Sequence, residues 1–149
     1  MRVSIIGLTA AAVVLSAGTA FAALDADSAI KYRKTVMTGV KAHFGAMFAV
    51  VKSQDDLGSD LLPHAEALAA TAKMAWKAFG PGTASGTEKT DARPEIWSDP
   101  AGFKVEASKF EIATAELLAA VRSQDKAAIA AKMQATGVMC KSCHDKFKQ

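Results

Sequence analysis

The chain is short of the side chains that most chemistry needs. Among 149 residues there are two cysteines, three histidines and one tyrosine, and aromatic residues make up only 7%. No strand pattern occurs, so a thioredoxin-like thiol couple lacks the βαβ frame in which such motifs sit. A zinc site needs about four ligands. Outside one C-terminal cluster the only candidates are His43 and His64, far off in sequence and on other segments. The formal charge is a mild +3, and no basic stripe is interleaved with aromatics, which argues against nucleic acid as a partner. There is no internal repeat and no low-complexity tract. Between Arg2 and Asp25 there is no charge at all.

That uncharged stretch has the form of a secretory signal over residues 1–22. Arg2 supplies a short positive start, and Ile5, Ile6, Val13, Val14 and Leu15 make the apolar middle. Ala20-Phe21-Ala22 then places small residues before a cleavage point at Ala23. An uncleaved membrane anchor is the competing reading, since residues 3–24 are long enough to span a bilayer. The Gly, Ala, Thr and Ser content of the tail favours cleavage. Residues 23–149 are then a single domain, long enough for a real core.

The rest reads as four helices. The first covers roughly residues 25–53, with Ile30, Arg33, Met37, Val40, Phe44, Met47 and Val51 at alternating steps of three and four. A polar turn at 54–59 leads to a second helix over roughly 60–79, with Leu61, Ala65, Leu68, Ala72, Trp76 and Phe79 on one face. Pro63 fits only its first turn. Gly80-Pro81-Gly82 stops it and opens a connection to Arg93, long enough to suggest a functional role. Asp99-Pro100 starts a third helix, whose buried face carries Phe103, Phe110, Leu117 and Val121. After a turn at 123–125 the fourth carries Ile129, Met133, Thr136, Cys140, Cys143 and Phe147 on one stripe. The pattern predicts an all-α, antiparallel four-helix bundle.

Both cysteines fall in one run, Cys140-Lys141-Ser142-Cys143-His144, with five residues after it. Cys-x-x-Cys-His is the attachment signature of a c-type haem. Two thiols must reach the two vinyl groups on one porphyrin edge, and residues three and four apart share a helix face. Cys140 and Cys143 are the predicted tethers of one covalent haem c, and His144 the axial iron ligand. Covalent attachment in bacteria occurs outside the cytoplasm, in agreement with export and a periplasmic location.

Because nothing of substance follows His144, the opposite side of the haem must be covered from upstream. An antiparallel bundle brings the start of the first helix level with the end of the last, which nominates Arg33 and Met37. Arg33 is either an arginine snorkelling over the core edge or a bidentate partner of the haem propionates. Met37 either ligates iron or merely covers it. His43 and His64 are weak candidates for a distal ligand, being off the Met37 face or on another helix. Met47, Met74, Met133 and Met139 read as core or surface.

These residues, with Lys31-Tyr32-Arg33, the stretch from Trp76 to Thr83, the stretch from Asp91 to Asp99 and the terminal motif through Phe147, make the chain resemble the cytochromes c′, the class II c-type cytochromes. The resemblance covers about residue 29 to the end. It implies a four-helix bundle around high-spin five-coordinate iron, usually as a homodimer, that binds NO and CO and can transfer electrons to redox partner proteins. It implies His144 as proximal ligand, Met37 as a distal residue that does not bind iron, Arg33 at a propionate, Lys34 at the haem edge and Asp91 near the haem. Lys148 stands where the family often has an arginine beside the imidazole, and Thr87-Glu88-Lys89-Thr90 lengthen the loop before Asp91. The alternative is a low-spin electron carrier with Met37 as sixth ligand. A peroxidase ranks lower, because no distal His–Arg pair is visible, and the protein is read as a carrier, not an enzyme. Val36, Gly39, His43, Ala46 and Val50 form a second face of the first helix suited to the dimer. Lys141, Lys146 and Lys148 ring the haem edge, where they suit either an acidic electron partner or plain solvent.

Overall fold

The computed structural model describes residues 24–53 and 58–149. The expected signal segment therefore lies outside the described residues. The elements are α1 (Ala26–Lys52), a short 3-10 turn (Gly58–Asp60), α2 (Leu61–Ala72), a one-turn α3 (Glu95–Ser98), α4 (Pro100–Ser123) and α5 (Lys126–Phe147). Three of the four bundle helices begin at an aspartate that caps them, whereas Asp60 before α2 makes no side-chain cap. Asp25 accepts from the Ser28 backbone N–H, Asp99 from that of Gly102, and Asp125 from those of Ala127 and Ala128. Such caps satisfy donors that have no partner inside the helix, for about 1 kcal/mol each. Gln124 ends α4 in the left-handed region, φ 58°, and so makes the tight corner into α5. Among the described residues no helix is long and apolar enough to cross a membrane.

The second helix is shorter than the periodicity predicts. After Ala72 the backbone winds on through 73–79 in i→i−3 bonds, from Met74 to Thr71, Ala75 to Ala72, Lys77 to Met74 and Phe79 to Trp76. The cause is visible in the sequence. Ala69, Ala72, Ala75 and Ala78 recur every third residue, and all four are buried. A three-residue turn eclipses i and i+3, so small side chains at that period let the tighter coil lie against its neighbours. The apolar stripe expected over 60–79 survives, but its last third is no longer α-helical.

The helices form the expected antiparallel four-helix bundle. Helix α1 packs on α2, α2 on α4 and α4 on α5. Ile30, Met47, Leu68, Leu117, Thr114 and Thr136 are fully buried within it. Phe103, Phe110, Leu117 and Val121 are buried as predicted, as are Ile129, Met133, Thr136 and Phe147. Val51 is not core: it is exposed near the end of α1. Towards the other end the core turns aromatic, where Trp76, Phe79, Phe103 and Phe147 meet in edge and tilted contacts of 4.9–5.7 Å. The first and last helices do not close on each other there. They stand on either side of a cavity.

Candidate haem site

The cavity has a volume of about 750 Å³. From α1 it is lined by Arg33, Lys34, Met37, Val40 and Phe44, and from α5 by Met139, Cys140, Cys143, His144 and Phe147. Trp76, Phe79, Phe103 and Phe110 form its floor, and Asp91 and Lys148 lie at its rim. All seven nominated residues thus line one cavity, brought together because antiparallel packing sets residue 33 level with residue 144. Met139 lines it too, a position the sequence pattern did not single out. His43 and His64 do not, which removes both as distal ligands.

The thiols are half-buried and unpaired. Burial is the largest cause raising both, with Cys143 pushed up to about 11 by burial, then by the Glu106 and Cys140 charges. A thiol–disulfide couple needs a lowered thiol pKa, so these cysteines are unlike a redox pair. His144 titrates below its usual value, first through desolvation and then through the Lys148 charge. That favours the neutral imidazole a metal requires.

Arg33 is 3% exposed, so it does not snorkel. Its guanidinium donates to the Thr83 carbonyl at 2.7 Å and to Thr90 Oγ1 at 3.1 Å, and lies 5.0 Å from the Phe79 ring centroid and 5.3 Å from that of Trp97. These contacts tie the long connection to α1. Among the described residues no carboxylate pairs with this cation, and its Nε, like the Nε1 of Trp76, is buried without a partner. An uncompensated buried charge and two orphaned donors are costly. All belong to residues lining the same cavity, and a carboxylate of a porphyrin would answer the Arg33 charge. With two thiols and an imidazole on one helix face, the residues present fit a covalently held haem.

The inserted loop is docked onto α1. Asp27 accepts from the Glu88 backbone N–H at 2.9 Å and from the Thr87 hydroxyl, Lys31 pairs with Glu88 at 3.2 Å, and Lys34 donates to the Lys89 carbonyl at 3.3 Å. At the opposite rim, residues 91–93 pair with the C-terminal tail. The Arg93 N–H donates to the Phe147 carbonyl at 3.0 Å and the Gln149 N–H to the Asp91 carbonyl at 2.8 Å. Lys148 reaches the Asp91 carboxylate at 3.1 Å. In the basic rim expected from Lys141, Lys146 and Lys148 each lysine has a carboxylate partner, Asp145, Glu106 and Asp91, with Glu106 shared by Lys109. The face expected to dimerise is also partly taken up within the chain. A side chain at Gly39 would touch Thr71 of α2, and His43 meets His64.

Glu106 is the residue the sequence reading missed. It lies on α4 at 3% exposure and accepts from Lys146 at 2.7 Å, Lys109 at 2.9 Å and Ser142 Oγ at 3.1 Å. Those bonds hold its carboxyl at about 2 against the cost of burial. Ser142 is inside the attachment motif, so α4 grips the motif from behind. The available signal was a lone acid between Phe103 and Phe110 on a buried face.

The family profile described as Cytochrome C' matches residues 28–148. A cytochrome c' of Rubrivivax gelatinosus is 42% identical over 122 residues, covering 81% of this chain and 94% of the relative. The crystal structure of cytochrome c' from Rubrivivax gelatinosus superposes with a TM-score of 0.78 at 39% identity, over 84% of this chain and 98% of that one. Cytochrome c prime from Alcaligenes xylosoxidans, as a ferrous variant with bound NO, superposes with a TM-score of 0.76 at 38% identity, over 84% of this chain and 96% of that one.

Proposed function

This chain belongs to the cytochrome c′ family, whose members carry covalently attached haem c, and we propose that it is an exported, periplasmic carrier of five-coordinate haem that takes up NO and CO and can exchange electrons. The observation that carries the reading is that Met37 of α1 and His144 of α5 line one cavity from opposed helices. Bound haem would supply a one-electron couple and an iron that takes a diatomic gas. The chain supplies everything else. Cys140 and Cys143 hold the porphyrin edge, and neutral His144 takes the proximal side. Arg33 would answer a propionate, with Lys34 at the haem edge and Asp91 at the rim.

On the other side Met37, Val40 and Phe44 make an apolar wall. The Thr38 hydroxyl also lines the cavity, but it donates to the Lys34 carbonyl at 2.9 Å. These apolar groups suit NO and CO better than O2, which develops negative charge, while the Lys41 ammonium and the unpartnered Trp76 N–H line the same cavity as donors. Met37 would cover the iron, and an entering gas would have to displace it. The relatives named cytochrome c′ support a carrier over a peroxidase. The homodimer and the redox partner rest on the family alone, and the paired lysines of the rim give no preference for an acidic partner. Residues 1–22 act as the signal and 23–149 as the domain.

The ferric absorption spectrum tests this. A high-spin spectrum is expected. A low-spin thioether signature would mean that Met37 is the sixth ligand and that the protein is an electron carrier. A mass that stays monomeric at every concentration would refute the dimer.

A further inference from the structure

The two histidines that the haem leaves unused are not apart. His43 on α1 and His64 on α2 bring their Nδ1 atoms to 3.1 Å, with ring centroids 5.4 Å apart and planes inclined by 52°. Both rings are half-buried in the groove between the helices and outside the haem cavity. Below them lie Val40 and Met47, one turn either side of His43, and Leu68, one turn after His64, all buried. Gly39 and Ala46 flank His43 on its own helix and leave space around it.

With no ion present, one ring must donate and the other accept, so a single proton lies between two nitrogens. A divalent ion can take its place, because metal–imidazole bonds of 2.0–2.1 Å put two ligand nitrogens about 3.3 Å apart in a tetrahedral site and about 2.9 Å apart at a right angle. The observed 3.1 Å lies between those limits. The donor ring moves its proton to Nε2 as Nδ1 takes the metal, so a neutral pair binds without net release of a proton. We propose that His43 and His64 form a two-imidazole site for a divalent transition ion, Cu2+ or Zn2+, separate from the haem. No cluster of three or more His, Cys, Asp or Glu able to hold a metal occurs among the described residues, so water completes the coordination. Two nitrogens and water favour Cu2+ over Zn2+.

The chain makes a clean test possible, since it has three histidines and His144 serves the haem. The holoprotein is titrated with CuCl2 and with ZnCl2 by calorimetry, and the Cu2+ form is examined by electron paramagnetic resonance. One equivalent should bind, Cu2+ more tightly than Zn2+, with coupling to two nitrogens. His43→Ala and His64→Ala should each weaken binding at least about tenfold. His64→Gln, which keeps a polar side chain in the groove, should lose as much, with the haem spectrum and helical content unchanged. Equal affinity in the wild type and either single variant would overturn the assignment. So would binding weaker than about 1 mM, which would leave the pair as a hydrogen bond only.

Discussion

Glu106→Gln separates the charge of Glu106 from its shape. The carboxylate is covered almost completely, and three donors from α4 and α5 converge on it. A fall from 4.5 to about 2 corresponds to roughly 3 kcal/mol in favour of the ionised form. That is an upper limit. Much of the cover is the two lysines themselves, whose side chains are 50% and 55% exposed, so water screens the cluster. The expected loss on substitution is therefore about 1–2 kcal/mol at pH 7. The sign of its pH dependence follows from the depressed value. The contribution is complete above 4.5 and is lost as pH falls through about 2. Urea denaturation of wild type and variant across that range should show a gap at neutral pH that closes with acidification, at unchanged slope. Comparing the two proteins cancels titrations common to both, including any at the haem. A gap that persists below pH 2, or none at pH 7, would refute the charged clamp.

Met37→Ala should speed NO and CO association in flow or flash measurements, and an unchanged rate would mean that Met37 does not cover the iron. Arg33→Lys should keep a charge at the site but lose the fork that spans Thr83 and Thr90. The expected cost is about 1–3 kcal/mol with faster proteolytic cleavage within residues 80–90; equal cleavage would show that the loop is held by other contacts. Leu117→Ala, at a fully buried central position, should cost about 2–5 kcal/mol in chemical denaturation without moving the haem spectrum. A shift of that spectrum would show that the core and the cavity are coupled.

Much of the cavity was legible because its signals are local. Cys140, Cys143 and His144 share a helix face by spacing alone, and Arg33 and Met37 follow once the bundle is antiparallel. Arg33 was legible as an anomaly but not as a clamp. Its partners Thr83 and Thr90 come from a connection without periodicity, and only folding sets their carbonyl and hydroxyl beside α1. Glu106 was hidden for a related reason. A single acid within an apolar stripe looks like a surface residue until Lys146 and Ser142 from another helix are seen to surround it. The tightening after Ala72 was readable in the alanine period of three, which the longer apolar stripe masked.

The sequence by itself determined the elements and the chemistry. Helical periods, caps at Asp25, Asp99 and Asp125, and the Cys-x-x-Cys-His spacing act over a few residues, where backbone geometry alone dictates which side chains share a face. The tertiary structure decided what lies opposite them. It placed the Asp91–Lys148 pair at the rim, set the exposed lysines of the haem edge beside carboxylates, brought α2 against Gly39 and brought His43 to within hydrogen-bond distance of His64. Those meetings depend on the angle and register of whole helices, which are set by the summed packing of the core and leave no mark at the residues that meet. The haem motif therefore announced its cofactor from five consecutive residues, whereas the surroundings that tune and hold it came from four helices and one long connection.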